Sequence, residues 1–158
     1  MSKAPSTANR LSGSASKKDI CLHYMKGETD LNILLQSMKP ELNAGEYAFC
    51  TVTELNDVDL QEVVCFFREK EGYTMILEKS RAEAYHLPFN FVASWITLTV
   101  HSALDAVGLT AAFSKALAEE GISCNVVAAY YHDHIFVATE DAERAMQVLE
   151  NLAGKGAE

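Results

Sequence analysis

A chain of 158 residues and 17.4 kDa, 49% hydrophobic and 22% charged, has the composition of one ordinary globular domain or two very small ones, which excludes a large multidomain enzyme and a chain disordered throughout. The formal charge is −9, yet residues 1–18 hold Lys3, Arg10, Lys17 and Lys18 without an acid, so a tail of +4 precedes a body of −13. An acidic body repels phosphate backbones, no apolar run approaches the ~20 residues of a membrane-spanning helix, and no secretion-signal core is present. The expectation is a cytoplasmic protein with neither nucleic acid nor membrane as partner.

Cys21, Cys50, Cys65 and Cys124 show no C-x-x-C spacing and read as buried free thiols, because free Cys behaves as a small hydrophobe. The Ser-rich tail, residues 1–20, carries too little apolar surface to order itself, although its basic composition is also similar to an organelle transit peptide. From Thr29, a candidate cap, Leu31, Leu34, Leu35 and Met38 fall at helical spacing until Pro40. Glu46–Val52 is rich in aromatic and β-branched residues and predicts a strand, followed by a polar loop from Thr53 to Gln61. Val63–Arg68 and Tyr73–Leu77 form a hairpin around Gly72, and Ser80–Glu83 reads as a capping box opening a short helix that ends near Leu87 and Pro88.

The second half repeats the pattern. Trp95–His101 alternates, with Ile96, Leu98 and Val100 on one face and Trp95, Thr97, Thr99 and His101 on the other. After the loop Ser102–Gly108, Leu109, Phe113, Ala116 and Leu117 make a helical stripe ended by Gly121. Ser123–Tyr131 predicts a strand, His132 and Asp133 a tight turn, and Ile135–Ala138 another strand. Thr139 then caps a helix with Ala145, Val148, Leu149 and Leu152 inward and Gly154 at its end. Each half reads strand, linker, strand, strand, helix, and each alone is too small to be comfortably stable, so the two complete one another.

These residues carry a resemblance. The hairpin Phe67–Leu77, the strand Trp95–Val100 with the following Ser102–Leu109, and the run Asp133–Val137 are similar to paired ACT-type, ferredoxin-like modules. They also resemble the regulatory ACT pair of aspartate kinases and the ACT modules of cytosolic arginine sensors upstream of the TOR kinase. The resemblance spans residues 29–153 and implies an α+β fold of tandem ACT-like modules, antiparallel sheets with helices on one side, with an N-terminal half over 29–90 and a C-terminal ACT domain over 91–154. It also implies a non-catalytic regulatory protein that holds a small effector, such as an amino acid, at the junction of the modules. A homodimer through sheet edges or helices fits the same architecture. The rival reading is a protein–protein interaction or dimerisation module without a ligand.

The candidate ligand site is the loop Ser102–Gly108 and the helix start behind it. Backbone N–H groups at a helix start lack intrahelical acceptors and can hold a carboxylate. Gly108 admits a close approach, and Asp105 can meet an ammonium group. The expected ligand contacts are Ser102, Asp105, Val107, Gly108 and Leu109, joined by Asp133, whose role is implied by its match to a ligand-contacting aspartate of the arginine sensors. The bland alternatives are a turn at Gly108, a helix start at Asp105 and turn chemistry at Asp133. The matching linker of the first half, Thr53–Gln61, has no Gly, which speaks against two symmetric sites.

His132-Asp133-His134 is weighed as a metal motif and set aside, because a site wants three or four ligands and no further His lies near in sequence. No metal, cofactor or catalytic group is expected: nucleophile elbow, P-loop, dinucleotide fingerprint and H-E-x-x-H are all absent, and Glu119 and Glu120 read as a solvated helix end. Tyr130, Tyr131, Phe89, Phe91 and Trp95 fit a core, a ligand cleft or a dimer face, with Trp95 the candidate for an interface.

Overall fold

The computed structural model describes residues 27–55 and 58–155; the basic tail and Cys21 lie outside the described residues. Helix α1 (Leu31–Ser37) is capped by Asp30 rather than Thr29, because a carboxylate at that position reaches the N–H groups of Asn32 and Ile33 at 2.9 and 3.2 Å. Pro40 ends that helix and also opens a three-residue strand, β1 (Pro40–Leu42). Next come β2 (Tyr47–Val52), a 3-10 turn at Leu60–Glu62 inside the stretch expected as loop, β3 (Val63–Arg68), β4 (Tyr73–Glu78) and α2 (Lys79–Ala84). The second half holds β5 (Val92–Leu98), α3 (Leu109–Glu119), β6 (Asn125–Ala128), β7 (Asp133–Ala138), a 3-10 turn at Thr139–Asp141 and α4 (Ala142–Lys155).

Several element ends differ from expectation for local reasons. The Ser80–Glu83 box does not form: the Lys79 N–H donates to the Glu46 carbonyl of the neighbouring strand at 2.8 Å, so α2 begins straight from β4 with Ser80 inside it. Thr139 does not cap α4; its hydroxyl donates across to the Val92 carbonyl at 3.4 Å. Gly154 lies within α4 instead of ending it. Strand β5 sits three residues earlier than predicted, β6 is shorter, and Asp133 belongs to strand β7 rather than to a turn. The predicted stop of α3 is present: Gly121 has φ 72°, and the Ile122 N–H returns to the Leu117 carbonyl at 3.0 Å.

The strands form one antiparallel sheet in the order β3-β4-β2-β5-β7-β6. Along one edge of β5, β2 pairs through Tyr47 with Ala93, and β1 pairs through Pro40, Glu41 and Leu42 with Leu98, Thr97 and Ile96; β7 runs along the other edge. Strand β5 therefore completes two four-stranded sets, β3-β4-β2-β5 and β6-β7-β5-β1, and the second set borrows its last strand from near the start of the chain.

All helices lie on one face. Over the second half, α1, α3 and α4 bury Leu34, Met38, Phe113, Leu117, Ala145 and Leu149 against Ile96, Leu98, Ile135 and Val137. Over the first half, α2 and the segment after it cover a smaller cluster of Ala48, Cys50, Met75, Leu77 and Ala82. Cys50 is a buried free thiol, while Cys65 and Cys124 are free and half-buried. The helix-free face is also apolar: Tyr47, Ile76, Ala93 and Phe136 are buried there with Phe49 and Trp95 around them. A flat sheet would hold β3 and β6 roughly 24 Å apart. Residues of both nonetheless line one cleft of about 600 Å³ together with Trp95 and Phe136, so the sheet curls toward its helix-free face. The seam between the halves is packed on that side by Trp95, edge-on to Tyr47 and stacked on Phe136.

Candidate functional site

The chain leaves β5 through two tight backbone bonds, Val100 N–H to the Leu98 carbonyl (2.8 Å) and Ser102 N–H to the Val100 carbonyl (3.1 Å), and reaches α3 through the loop ending at Gly108. Gly27 and Glu28 lie along this loop: the Glu28 N–H donates to His101, and Ala103 donates back to the Glu28 carbonyl, both at 2.9 Å. A Cβ on residue 27 would stand 2.3 Å from the Ala103 nitrogen, so only glycine permits this approach. The contact leaves a crevice of about 230 Å³ lined by Gly27, His101, Ser102, Ala103, Asp105 and Tyr130, with Leu104 at its rim.

Of the predicted contacts, the structure brings Ser102 and Asp105 into this crevice. Val107, Gly108 and Leu109 form the entrance to α3 beside it; Val107 is 84% exposed, whereas the Leu109 side chain is buried in the core and leaves only its backbone available. The α3 start has no side-chain cap, and the N–H groups of Val107, Gly108 and Leu109 have no acceptor among the described residues. Gly108 has φ 107°, a left-handed conformation that glycine tolerates, and a Cβ there would meet Leu31 Cδ2 at 2.9 Å. The close neighbour that Gly108 accommodates is thus Leu31 of α1.

Asp133 does not line the crevice but sits at the same end of the sheet, opposite Leu98 on β5 and Ala128 on β6. Alternation turns it toward the helix face with Leu98 and Ile135, while its neighbour His134 faces the curled side. Asp133 is only 5% exposed and its carboxylate accepts no hydrogen bond from the described residues; because no fully buried polar side-chain atom described here lacks a partner, its oxygens reach open space. Burial pushes its pKa up, against a smaller lowering from His132. Next to it His101, Tyr130 and Tyr131 form a ring cluster with centroids 4.9 to 6.5 Å apart, and both tyrosines are half exposed. Among the described residues, no group of three or more His, Cys, Asp and Glu side chains converges as a metal site.

Sequence reasoning missed Gly27 and gave His101 no place at the loop, while Tyr130 entered only among five aromatics that fit a core, a ligand cleft or a dimer face. Gly27 had no local signal, since its partner is more than seventy positions away; the alternation that set His101 opposite Ile96 held the only trace of the second. Trp95, the candidate for an interface, packs on the curled face and donates its indole N–H to His134 Nδ1 at 3.0 Å.

Comparison with known proteins bears on what this arrangement is. Two ACT domain family models match in tandem, over residues 26–94 and 90–151. A crystal structure of a Vibrio cholerae protein of unknown function is 53% identical, with a TM-score of 0.70, covering 78% of this chain and 95% of that one. A protein from Agrobacterium tumefaciens is 19% identical (TM-score 0.57; 73% of this chain, 89% of that one). The regulatory subunit of aspartate kinase from Thermus thermophilus is 10% identical (TM-score 0.55; 73% and 97%), a likeness of fold. No curated protein sequence matches the chain. Among the described residues no helix is long and apolar enough to cross a membrane. ACT domains are regulatory modules that often bind amino acids and often oligomerise. The shared strand β5, the two sets of strands around it and the tandem matches together make this chain a member of the ACT domain family, with two ACT modules in succession.

Proposed function

We propose that the protein is a non-catalytic cytoplasmic regulator that binds a small amino-acid-like effector where Gly27–Glu28, within the first matched module, lies on the His101–Asp105 loop of the second. The observation that carries this reading is the carboxylate of Asp133 at that end of the sheet, largely buried and unbonded among the described residues but with its oxygens reaching open space. Burial disfavours its charged form, and a cationic ligand group offsets that cost. The unbonded N–H groups of Val107, Gly108 and Leu109 suit the effector's carboxylate. Ser102, Asp105 and the face of Tyr130 suit its ammonium group, by hydrogen bond and cation–π contact.

Thermal-shift screening of the twenty amino acids is the test. At least one raises the melting temperature of the wild type in a concentration-dependent way, and Asp133→Ala abolishes that rise. Absence of stabilisation by every amino acid overturns the reading. A second reading, a protein-docking module, is favoured by the edge strand β3, which exposes Val64, Phe66 and Phe67 (39, 41 and 65%). Loss of self-association in Phe67→Glu by sedimentation velocity would support it, and a monomeric wild type would remove the dimer version.

A further inference from the structure

The curled, helix-free side of the sheet carries a second pocket, on the opposite face from Asp133. Its volume of about 600 Å³ lies within the range of small-molecule sites, ~300–1,000 Å³. Its walls are apolar: Val63 and Cys65 from the first half, Trp95, Val127 and Phe136 from the second. Its polar side chains are Gln61 and Glu62 from the 3-10 turn before β3 and His134 from β7, and the hydrogen bonds of His134 fix its state. An indole N–H can only donate, so the Trp95 bond at 3.0 Å makes His134 Nδ1 an acceptor. Thr97 Oγ1 lies 3.2 Å from the same atom and itself accepts from Asn43 Nδ2 at 2.9 Å.

Neutral His134 therefore carries its proton on Nε2, and Nε2–H has no acceptor among the described residues. Because no fully buried polar side-chain atom described here lacks a partner, Nε2–H reaches open space, and the open space that His134 borders is this cleft. The other charged group of the lining, Glu62, is engaged on both oxygens, one by the Arg81 guanidinium and the other by the Tyr85 hydroxyl at 2.8 Å. Among the described residues no unpaired cation lines the cleft, so an anion would find no ion pair there and would face the Glu62 carboxylate.

We infer that this cleft binds an uncharged, mainly apolar small molecule bearing one carbonyl-type acceptor, which takes the hydrogen bond of His134 Nε2–H while its body lies between Trp95 and the aliphatic walls. The site is independent of the amino-acid site proposed above and uses the other face of the sheet.

Trp95 is the single tryptophan of the chain, so its emission reports occupancy directly. The probe is 6-propionyl-2-(dimethylamino)naphthalene, an uncharged aromatic ketone that accepts energy from tryptophan. It is titrated into the full chain beside 2-(dimethylamino)naphthalene, which lacks the carbonyl, and 6-(dimethylamino)-2-naphthoate, which is anionic. The expected result is saturable one-to-one quenching by the ketone, about tenfold weaker binding without the carbonyl, and weaker binding of the anion. Val127→Phe, which fills the cleft from β6, reduces the ketone's affinity at least tenfold. Quenching that never saturates, equal affinity of ketone and carbonyl-free compound, tighter binding of the anion, or unchanged binding in a folded Val127→Phe protein would each overturn the assignment.

Discussion

The two modules share a strand pattern and differ in what covers it. In the second, α3 and α4, with α1 brought from the start of the first matched module, bury a continuous layer that includes Phe113, Leu117, Ile135 and Leu149. In the first, a three-residue 3-10 turn stands where α3 would be, α2 has six residues, and the helix-side core is five buried residues of modest size. The repeat is one of strands; helical cover is added unequally. Stability therefore concentrates in the second module, and so does the loop-and-helix-start crevice, because there the linker leads into an uncapped α-helix, where the first module has a 3-10 turn capped by Asp59.

The sharpest way to break this comparison is to empty both cores. Phe113→Ala removes a side chain with no exposure and loses about 3–5 kcal/mol, whereas Met75→Ala in the first module loses about 2–3 kcal/mol, as read by urea denaturation. Equal losses would show that the thin first module is no less tightly packed. Next in size is Gly108→Val, which must hold a positive φ and move Leu31; it loses about 1–3 kcal/mol. Thr53→Ala, in the corresponding linker of the first module, changes stability by less than about 0.5 kcal/mol. A Gly108→Val protein as stable as wild type would mean that α1 does not press on the α3 entrance.

What could be read from the sequence follows from what is local. Alternation located β5 to within three residues, and the stripe Leu109, Phe113, Leu117 located α3, because burial on one face imposes a period that survives without knowledge of the partner. Caps were misassigned at Thr29, Ser80 and Thr139 because each terminal N–H can be satisfied from several places, and here a side chain one residue on or a carbonyl on the next strand won. Strand β1 escaped notice since three residues beginning with Pro show no period; only its pairing with β5 makes it a strand. The candidate loop was legible from Gly108 and the stripe behind it, but Gly27 was not, and neither was the cleft on the other face. Alternation says which residues share a face and is silent on how far a sheet curls.

Residues 133 and 134 compress the contrast of faces into one step of chain, and their titrations separate the two sites. Asp133 has a raised pKa, so the folded state holds its proton more tightly than the unfolded state does. Its destabilising effect is complete above the raised value and vanishes as pH falls below the ordinary 3.8. Asp133→Asn accordingly raises the melting temperature at pH 7, and the gain disappears on acidification toward pH 3.8. In the same variant the stabilisation by any amino-acid effector is lost. A variant less stable than wild type at pH 7 would show that the carboxylate has a partner that offsets its burial.

His134 should give the smallest effect and the opposite sign. Burial first, then His132, lowers its pKa, so the unfolded chain takes up the proton before the folded one does. Stability from this group is therefore present above the ordinary value of 6.5 and drains away as pH falls from 6.5 toward the depressed folded value. Gln at 134 can accept from the Trp95 N–H with its carbonyl and still offer an N–H to the cleft, but it cannot take a charge. His134→Gln is expected to match wild type at pH 8 and to lose less stability than wild type below pH 6.5, with ketone binding retained within a few-fold. The difference between the two stability–pH curves reports the His134 ring together with its coupling to His132. If the curves coincide, His134 is protonated in the fold as readily as in the unfolded chain, and the neutral Nε2–H tautomer on which the cleft's chemistry depends is not the state the protein holds.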